Sequence, residues 1–270
     1  RIEATSRVIV YPATVPISRF ELPLGMLSGG EAQRRRSHYV TTNASGVRDY
    51  VPGDSFNRMH WRSTARKGQL IVKEFEIDPL VDIWLFADFS ASSLVEAPGI
   101  QRIGGTGPVI PSDNSIPAST EEYVAVIAAS LASHFIGQER ALGFAAYTPK
   151  REIHQPERGN RQLTRIFETL AVARNTASYT LAQMLTLETP YFTRGTTLII
   201  VSASTDITWV TEAQILGRRG IQTMCILLDT ETFGGASAQE LQGMLRLARI
   251  PTIVVSYGDN LATTLSQRPI

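Results

Sequence analysis

Val81 to Phe89 is almost unbroken apolar sequence, interrupted only by Asp82 and Asp88. A short run of this kind predicts a strand buried on both faces, as in a parallel sheet. Beyond it the pattern switches repeatedly between helix and strand periods. Ser119 or Thr120, with Glu122 close behind, opens an amphipathic helix that runs to about Ile136. Strands are predicted over Ala141–Tyr147, Thr196–Val201, Gly220–Leu228 and Thr252–Val255. Helices are predicted over Arg161–Ala173, Thr180–Leu187, Thr208–Arg218 and Ser237–Ala248, with a small edge strand near Arg151–His154. Such alternation argues for an α/β fold: a doubly wound, mostly parallel sheet with helices on both faces.

The chain before this region reads differently. Val8-Ile9-Val10-Tyr11 and similar β-prone stretches are broken by Pro12, Pro16 and Pro23, and Gly29-Gly30 marks a turn. Residues 37–78 alternate in the same style, as in Gln69 to Phe75. The change near Asp78-Pro79 predicts two segments, an irregular β-rich one over 1–78 and the α/β domain over 79–270. Residues 95–119 are rich in Gly, Pro and Ser, which predicts a long loop.

Composition narrows the function classes. The 270 residues are 43% hydrophobic, enough for one large domain with a small companion. A net charge of +1 gives no bulk attraction to nucleic acid or anionic lipid, although residues 1–80 carry +4 and the remainder −3. The basic triplet Arg34-Arg35-Arg36 lacks interleaved aromatics and reads as a solvated loop. Cys225 is alone in an apolar run, so it predicts a buried structural thiol and a reducing compartment. No apolar run reaches the ~20 residues that span a bilayer. The chain opens on Arg1 without Met, and a targeting or membrane segment is expected to lie outside it. There is no G-x-x-x-x-G-K-[ST] and no G-x-S-x-G, and the four His lack zinc spacing. Gly104-Gly105-Thr106-Gly107 lacks the strand-turn-helix setting of a dinucleotide loop, so no small-molecule cofactor is expected.

The chemistry-bearing motif is Asp88-Phe89-Ser90-Ala91-Ser92 at the end of the first core strand. Open α/β sheets bind ligands beyond the carboxyl ends of their strands, where strand order reverses. A carboxylate with two hydroxyls at alternate positions makes a hard, oxygen-rich site suited to Mg²⁺. The alternative is local: Ser90 and Ser92 cap a short helical turn, and Asp88 accepts backbone N–H bonds.

This D-x-S-x-S tip resembles the metal-ion-dependent adhesion site of von Willebrand factor A domains. Upstream, Gly46-Val47-Arg48-Asp49-Tyr50, Pro52-Gly53-Asp54, His60-Trp61, Ala65-Arg66, Gly68, Leu70 and Val72-Lys73-Glu74-Phe75 resemble the signature of the domain of unknown function 58 family. The close resemblance covers residues 46–92. It implies a membrane-anchored protein on the cytoplasmic side, with an N-terminal β region and a von Willebrand factor A-like domain. It also implies a MoxR-type AAA+ ATPase, or its client, as partner. For the metal it implies Mg²⁺ or Ca²⁺ on Asp88, Ser90 and Ser92, a third-loop ligand from Thr176 or Ser178, and a fourth-loop carboxylate. Ala203 stands where that carboxylate is expected, and Asp206 arrives late. Within the signature, Arg48, Tyr50, Gly53, Asp54, Trp61, Ala65 and Arg66 read as a fold-locking network or an interface. In the fold-locking version Asp54 pairs with Arg48 or Arg66 over a packed Trp61.

The resulting expectation is a non-enzymatic interaction module, cation-coupled at the Asp88 tip. Two other readings stand beside it: a metal-dependent hydrolase at the same tip, with Asp206 as second carboxylate, and a metal-free envelope scaffold.

Overall fold

The computed structural model describes residues 9–22, 44–51, 59–75, 82–97, 116–148 and 150–270. Two compact units emerge. One is Met26–Leu80, and the other joins Arg1–Gly25 to Val81–Ile270. No helix among the described residues is long and apolar enough to cross a membrane.

In the smaller unit, β1 (Ala44–Asp49) pairs antiparallel with β2 (Ile71–Phe75). Between them lies a helix that the alternating pattern of residues 37–78 did not predict, α1 (Trp61–Lys67). His60 caps it by accepting the Ser63 N–H on Nδ1 at 3.2 Å. Gly68 ends it with φ 65°, a left-handed conformation that costs glycine little. Met59, Ile71 and Val72 are buried in this unit.

The larger unit holds a six-stranded sheet, ordered β5-β4-β3-β6-β7-β8. Its strands are β3 (Ile83–Ala87), β4 (Leu142–Tyr147), β5 (Arg151–Glu157), β6 (Thr197–Ser202), β7 (Gln222–Leu228) and β8 (Thr252–Val255). All neighbours run parallel except β5, which pairs antiparallel with β4 at the edge. The doubly wound fold read from the sequence is therefore present, and the expected edge strand extends to Glu157. Connecting helices are α2 (Thr120–Gly137), α3 (Asn160–Val172), α4 (Leu181–Glu188), α5 (Thr208–Arg218), α6 (Gln239–Leu247) and α7 (Leu261–Thr264). Ile83, Leu85 and Ala87 face the layer of α2, α3 and α7, whereas Trp84 and Phe86 face α4, α5 and α6. Period-two alternation with both faces apolar is what made β3 readable as a doubly buried strand. At Gly143, opposite Trp84, a Cβ would lie 2.6 Å from the indole ring, so the residue's lack of a side chain makes room for Trp84.

Two expectations need correction. The helix over 120–136 was read as amphipathic, yet α2 is buried on nearly every side. Beside α3, part of the cover comes from residues 9–22, which contain no strand and pack Val15, Ile17, Phe20 and Leu22 against the α2 cluster. The Val15 N–H donates to Ser130 Oγ (2.9 Å), and Phe20 meets Phe135 edge-on at 5.6 Å. This N-terminal strap therefore falls with the sheet, not with the β-rich segment expected over 1–78. The physical reason is that an apolar helix surface facing away from the sheet must be covered, and the strap supplies part of that cover.

Candidate functional site

The first core strand ends at the switch point. β4 lies on one side of β3 and β6 on the other, so chain order reverses between β3 and β6. Asp88 and Ser202 emerge there at adjacent carboxyl ends. Asp88 is 0% exposed. Its Oδ1 accepts the Ser90 N–H at 2.9 Å, and its Oδ2 accepts the Ser202 hydroxyl at 2.6 Å. Ser202 Oγ in turn accepts the Ser204 N–H at 2.9 Å. Burial disfavours the carboxylate and raises the Asp88 pKa, while the Ser202 and Ser90 bonds pull it back down.

Ser90 is buried and Ser92 exposed, with their hydroxyl oxygens 3.4 Å apart. Residues Ala91–Ser93 form a short 3₁₀ turn, with Ser90 at its N-cap position but no side-chain capping bond. The local alternative holds in part. Asp88 does accept a backbone N–H, yet the two hydroxyls converge instead of capping.

A second loop is stitched to the tip. Ser90 pairs with Ala177 in a parallel bridge, and the Ala91 N–H donates to the Ala177 carbonyl at 2.9 Å. Asn175, buried, donates from Nδ2 to the Ser90 carbonyl (3.0 Å) and to Ser93 Oγ (2.9 Å). Its own N–H donates to Glu121 Oε2 at 2.7 Å, which ties the loop to α2. The expected third-loop residues, Thr176 and Ser178, flank Ala177 and are exposed. The Thr176 hydroxyl bonds to the Arg174 carbonyl at 3.5 Å, and neither residue makes a side-chain bond to Asp88, Ser90 or Ser92. The long loop is closed at its neck: the Ala97 N–H donates to the Ala118 carbonyl and Thr120 Oγ1 to the Ser93 carbonyl. Residues 98–115 of that loop lie outside the described residues.

The fourth-loop expectation changes most. Asp206 does not turn toward Asp88; its Oδ1 accepts the Thr208 N–H (2.9 Å) and its Oδ2 the Thr208 hydroxyl (2.6 Å), an arrangement that opens α5. Ala203 is buried. The donors that converge are one carboxylate and the hydroxyls of Ser90 and Ser92, with Ser202 bonded to the carboxylate from behind. Mg²⁺ keeps several waters and takes as few as one carboxylate, so this donor set meets the minimum for a hard cation and no more. Among the described residues no three His, Cys, Asp or Glu cluster as a metal site.

Sequence reasoning missed Ser202 and Asn175. The Ser202-Ala203-Ser204 spacing repeats the alternate-oxygen pattern of the tip and was the available signal for Ser202. Asn175 carried none. In the signature, Gly53 and Asp54 lie outside the described residues, so the Asp54 pairing does too. The packed-Trp expectation is corrected: Trp61 is 63% exposed. Ala65 and Arg66 are exposed with it on the same short helix, while Tyr50 is half-buried and its N–H donates to the Leu70 carbonyl. Arg48 is exposed and donates to the Asp49 carbonyl at 3.1 Å.

Comparison with known proteins bears on part of the chain. The family model described as "Protein of unknown function DUF58" matches residues 46–99. "Uncharacterized protein YeaD" of Bacillus subtilis (strain 168) is 40% identical over 53 residues, 20% of this chain, and the match spans only 13% of that relative's length. Among solved structures, the conserved hypothetical protein BatB from Bacteroides thetaiotaomicron is 16% identical, covering 69% of this chain and 96% of that one, with a TM-score of 0.41. An aerotolerance-related membrane protein from Bacteroides fragilis is 14% identical, covering 68% and 94%, with a TM-score of 0.40. The likeness in sequence to the DUF58 family is thus carried by the segment that contains α1 and runs through the Asp88 tip.

Proposed function

We propose that this chain is a protein-interaction module whose partner docks at the carboxyl end of the sheet, around Asp88, Ser90 and Ser92. The observation that carries the reading is the convergence of these oxygens at the switch point on a frame held by Ser202 and Asn175. A tip fixed before binding loses little entropy on association. A divalent cation, Mg²⁺ or Ca²⁺, would be held by Ser90, Ser92 and Asp88, with a carboxylate of the partner supplying the oxygen that Ala203 does not. Such a cation would supply charge that couples the two proteins. Resemblance to the DUF58 family supports a MoxR-type AAA+ ATPase or its client as partner, and a membrane anchor outside this chain. The hydrolase reading is less well supported, because the second carboxylate it requires, Asp206, is committed to Thr208.

The test is binding of a MoxR-type ATPase from the same organism to the immobilised chain, in Mg²⁺ and in EDTA. Ser92→Ala and Asp88→Asn serve as variants. The proposal expects about tenfold weaker binding in EDTA and in each variant. Binding that ignores EDTA and both variants would remove the cation. Absence of any binding would remove the partner class.

A further inference from the structure

Beside the tip, on the β4–β5 side, lies an open pocket of about 420 Å³. Three tyrosines line it among otherwise mostly polar residues: Tyr147 at the end of β4, Tyr179 before α4 and Tyr191 after it. Tyr179 and Tyr191 are 49% and 46% exposed, a large aromatic area left facing water. The rings are nonetheless held in place. Tyr147 and Tyr179 meet edge to face at 5.7 Å, and the Arg151 guanidinium sits 5.1 Å from the Tyr191 ring centroid.

The fixing element is Glu188, whose side chain is 1% exposed. It accepts Arg151 Nε at 2.7 Å and Nη2 at 2.8 Å, and also the Tyr147 hydroxyl. A fork-to-fork pair of this kind fixes geometry as well as charge. It orders the guanidinium and the rings on either side of it before anything binds, which lowers the entropy lost on binding. It also cancels the Arg151 charge. Lys150, exposed on the rim, has no ion pair among the described residues, so the pocket is left with one uncompensated positive charge.

Three features point to a protein ligand. Tyr and Arg in preformed surroundings are the residue types that dominate binding energy at protein interfaces. The pocket shares Thr176, Ala177 and Ser178 with the loop stitched to the tip, so one partner surface can reach both. A nucleotide fits less well: its phosphates would meet Lys150 alone, because Arg151 is committed to Glu188.

We infer that this pocket is a specificity site for a short segment of the protein partner, in which an aromatic or large aliphatic side chain enters between the tyrosines and a neighbouring carboxylate reaches Lys150. The inference rests on the reading that a protein docks at this end of the sheet, but on neither the cation nor the identity of the ATPase.

The test pans a phage library of random heptapeptides on the immobilised full chain. Enriched clones should pair Asp or Glu with an adjacent Phe, Tyr, Trp or Leu. A synthetic peptide from such a clone should bind about tenfold more weakly to Tyr179→Ala and to Lys150→Glu. Both residues are exposed, and thermal melts matching the parent confirm that the variants fold. EDTA should leave the affinity unchanged. Absence of enrichment, enrichment without the acidic–apolar pair, or affinity unchanged in both variants overturns the inference. Loss of binding in EDTA also overturns it, since the peptide then sits on the tip. Peptide binding without ATPase binding leaves the pocket standing and removes the proposed partner.

Discussion

At the scale of single residues, Asp88 is a structural acceptor before it is anything else. Replacing it by Ala leaves the buried Ser202 hydroxyl and Ser90 N–H without their acceptor, and each orphaned buried donor costs about 1–3 kcal/mol. Asp88→Ala should therefore lower stability by about 2 kcal/mol or more, while Asp88→Asn, which keeps an acceptor toward Ser90, should cost about half as much or less. Urea titration of both variants checks this, and equal losses would contradict it. Trp61 gives the opposite expectation. At 63% exposure, Trp61→Ala should change stability by no more than about 0.5 kcal/mol, whereas a fold-locking Trp would cost about 3–5 kcal/mol. A denaturation midpoint shifted by the larger amount would restore the packed reading. Asp88, Ser90 and Ser92 were legible in the sequence because their oxygens recur with the period of a strand at its carboxyl end. Ser202 was harder to assign because it lies 114 positions from Asp88 in the chain, and only the β3–β6 pairing makes them neighbours.

At the scale of elements, the strands and helices of the sheet were readable from periodicity alone, and two elements were misread. Periodicity reports which side of an element is apolar, not what covers it. The helix α2 read as amphipathic, but its face carrying Ser130 and His134 is covered by the strap. For α1, the alternation of Gln69–Phe75, extended over residues 37–78, masked a seven-residue helix whose start and stop are set by His60 and Gly68. Two histidines now bear on pH dependence. His134 on α2 meets the Ile17 carbonyl through Nδ1 at 3.0 Å, and His154 on β5 meets Thr169 Oγ1 at 3.0 Å. Burial lowers both pKa values below 6.5. A base with a depressed folded-state pKa contributes its stability above the unfolded value, and that stability fades as pH falls through the folded value. Asp88, with a raised pKa, acts in the opposite sense, so the informative quantity is a difference between variants. Between pH ~7 and ~5 the urea midpoint of His134→Gln/His154→Gln should fall less than that of the parent chain. Parallel pH profiles would show that neither histidine is coupled to folding.

At the scale of the whole molecule, the α/β unit is assembled from two stretches of chain separated in sequence by Met26–Leu80. Phe20 is the strap's aromatic anchor, packed against Phe135 and His134. Phe20→Ala should destabilise the chain by about 1–2 kcal/mol, because the ring is only partly buried, and should increase binding of a hydrophobic dye to the uncovered helix. Unchanged melting and dye fluorescence would mean that the strap adds nothing. Its position also has a temporal consequence. The strap leaves the ribosome well before α2, since its partners Ser130 and His134 lie 115 and 117 positions downstream. Contacts of such long sequence separation close late, after local ones have formed. The nascent strap must therefore wait, apolar side chains exposed, until α2 has been synthesised, and during that interval it is a natural ligand for a chaperone.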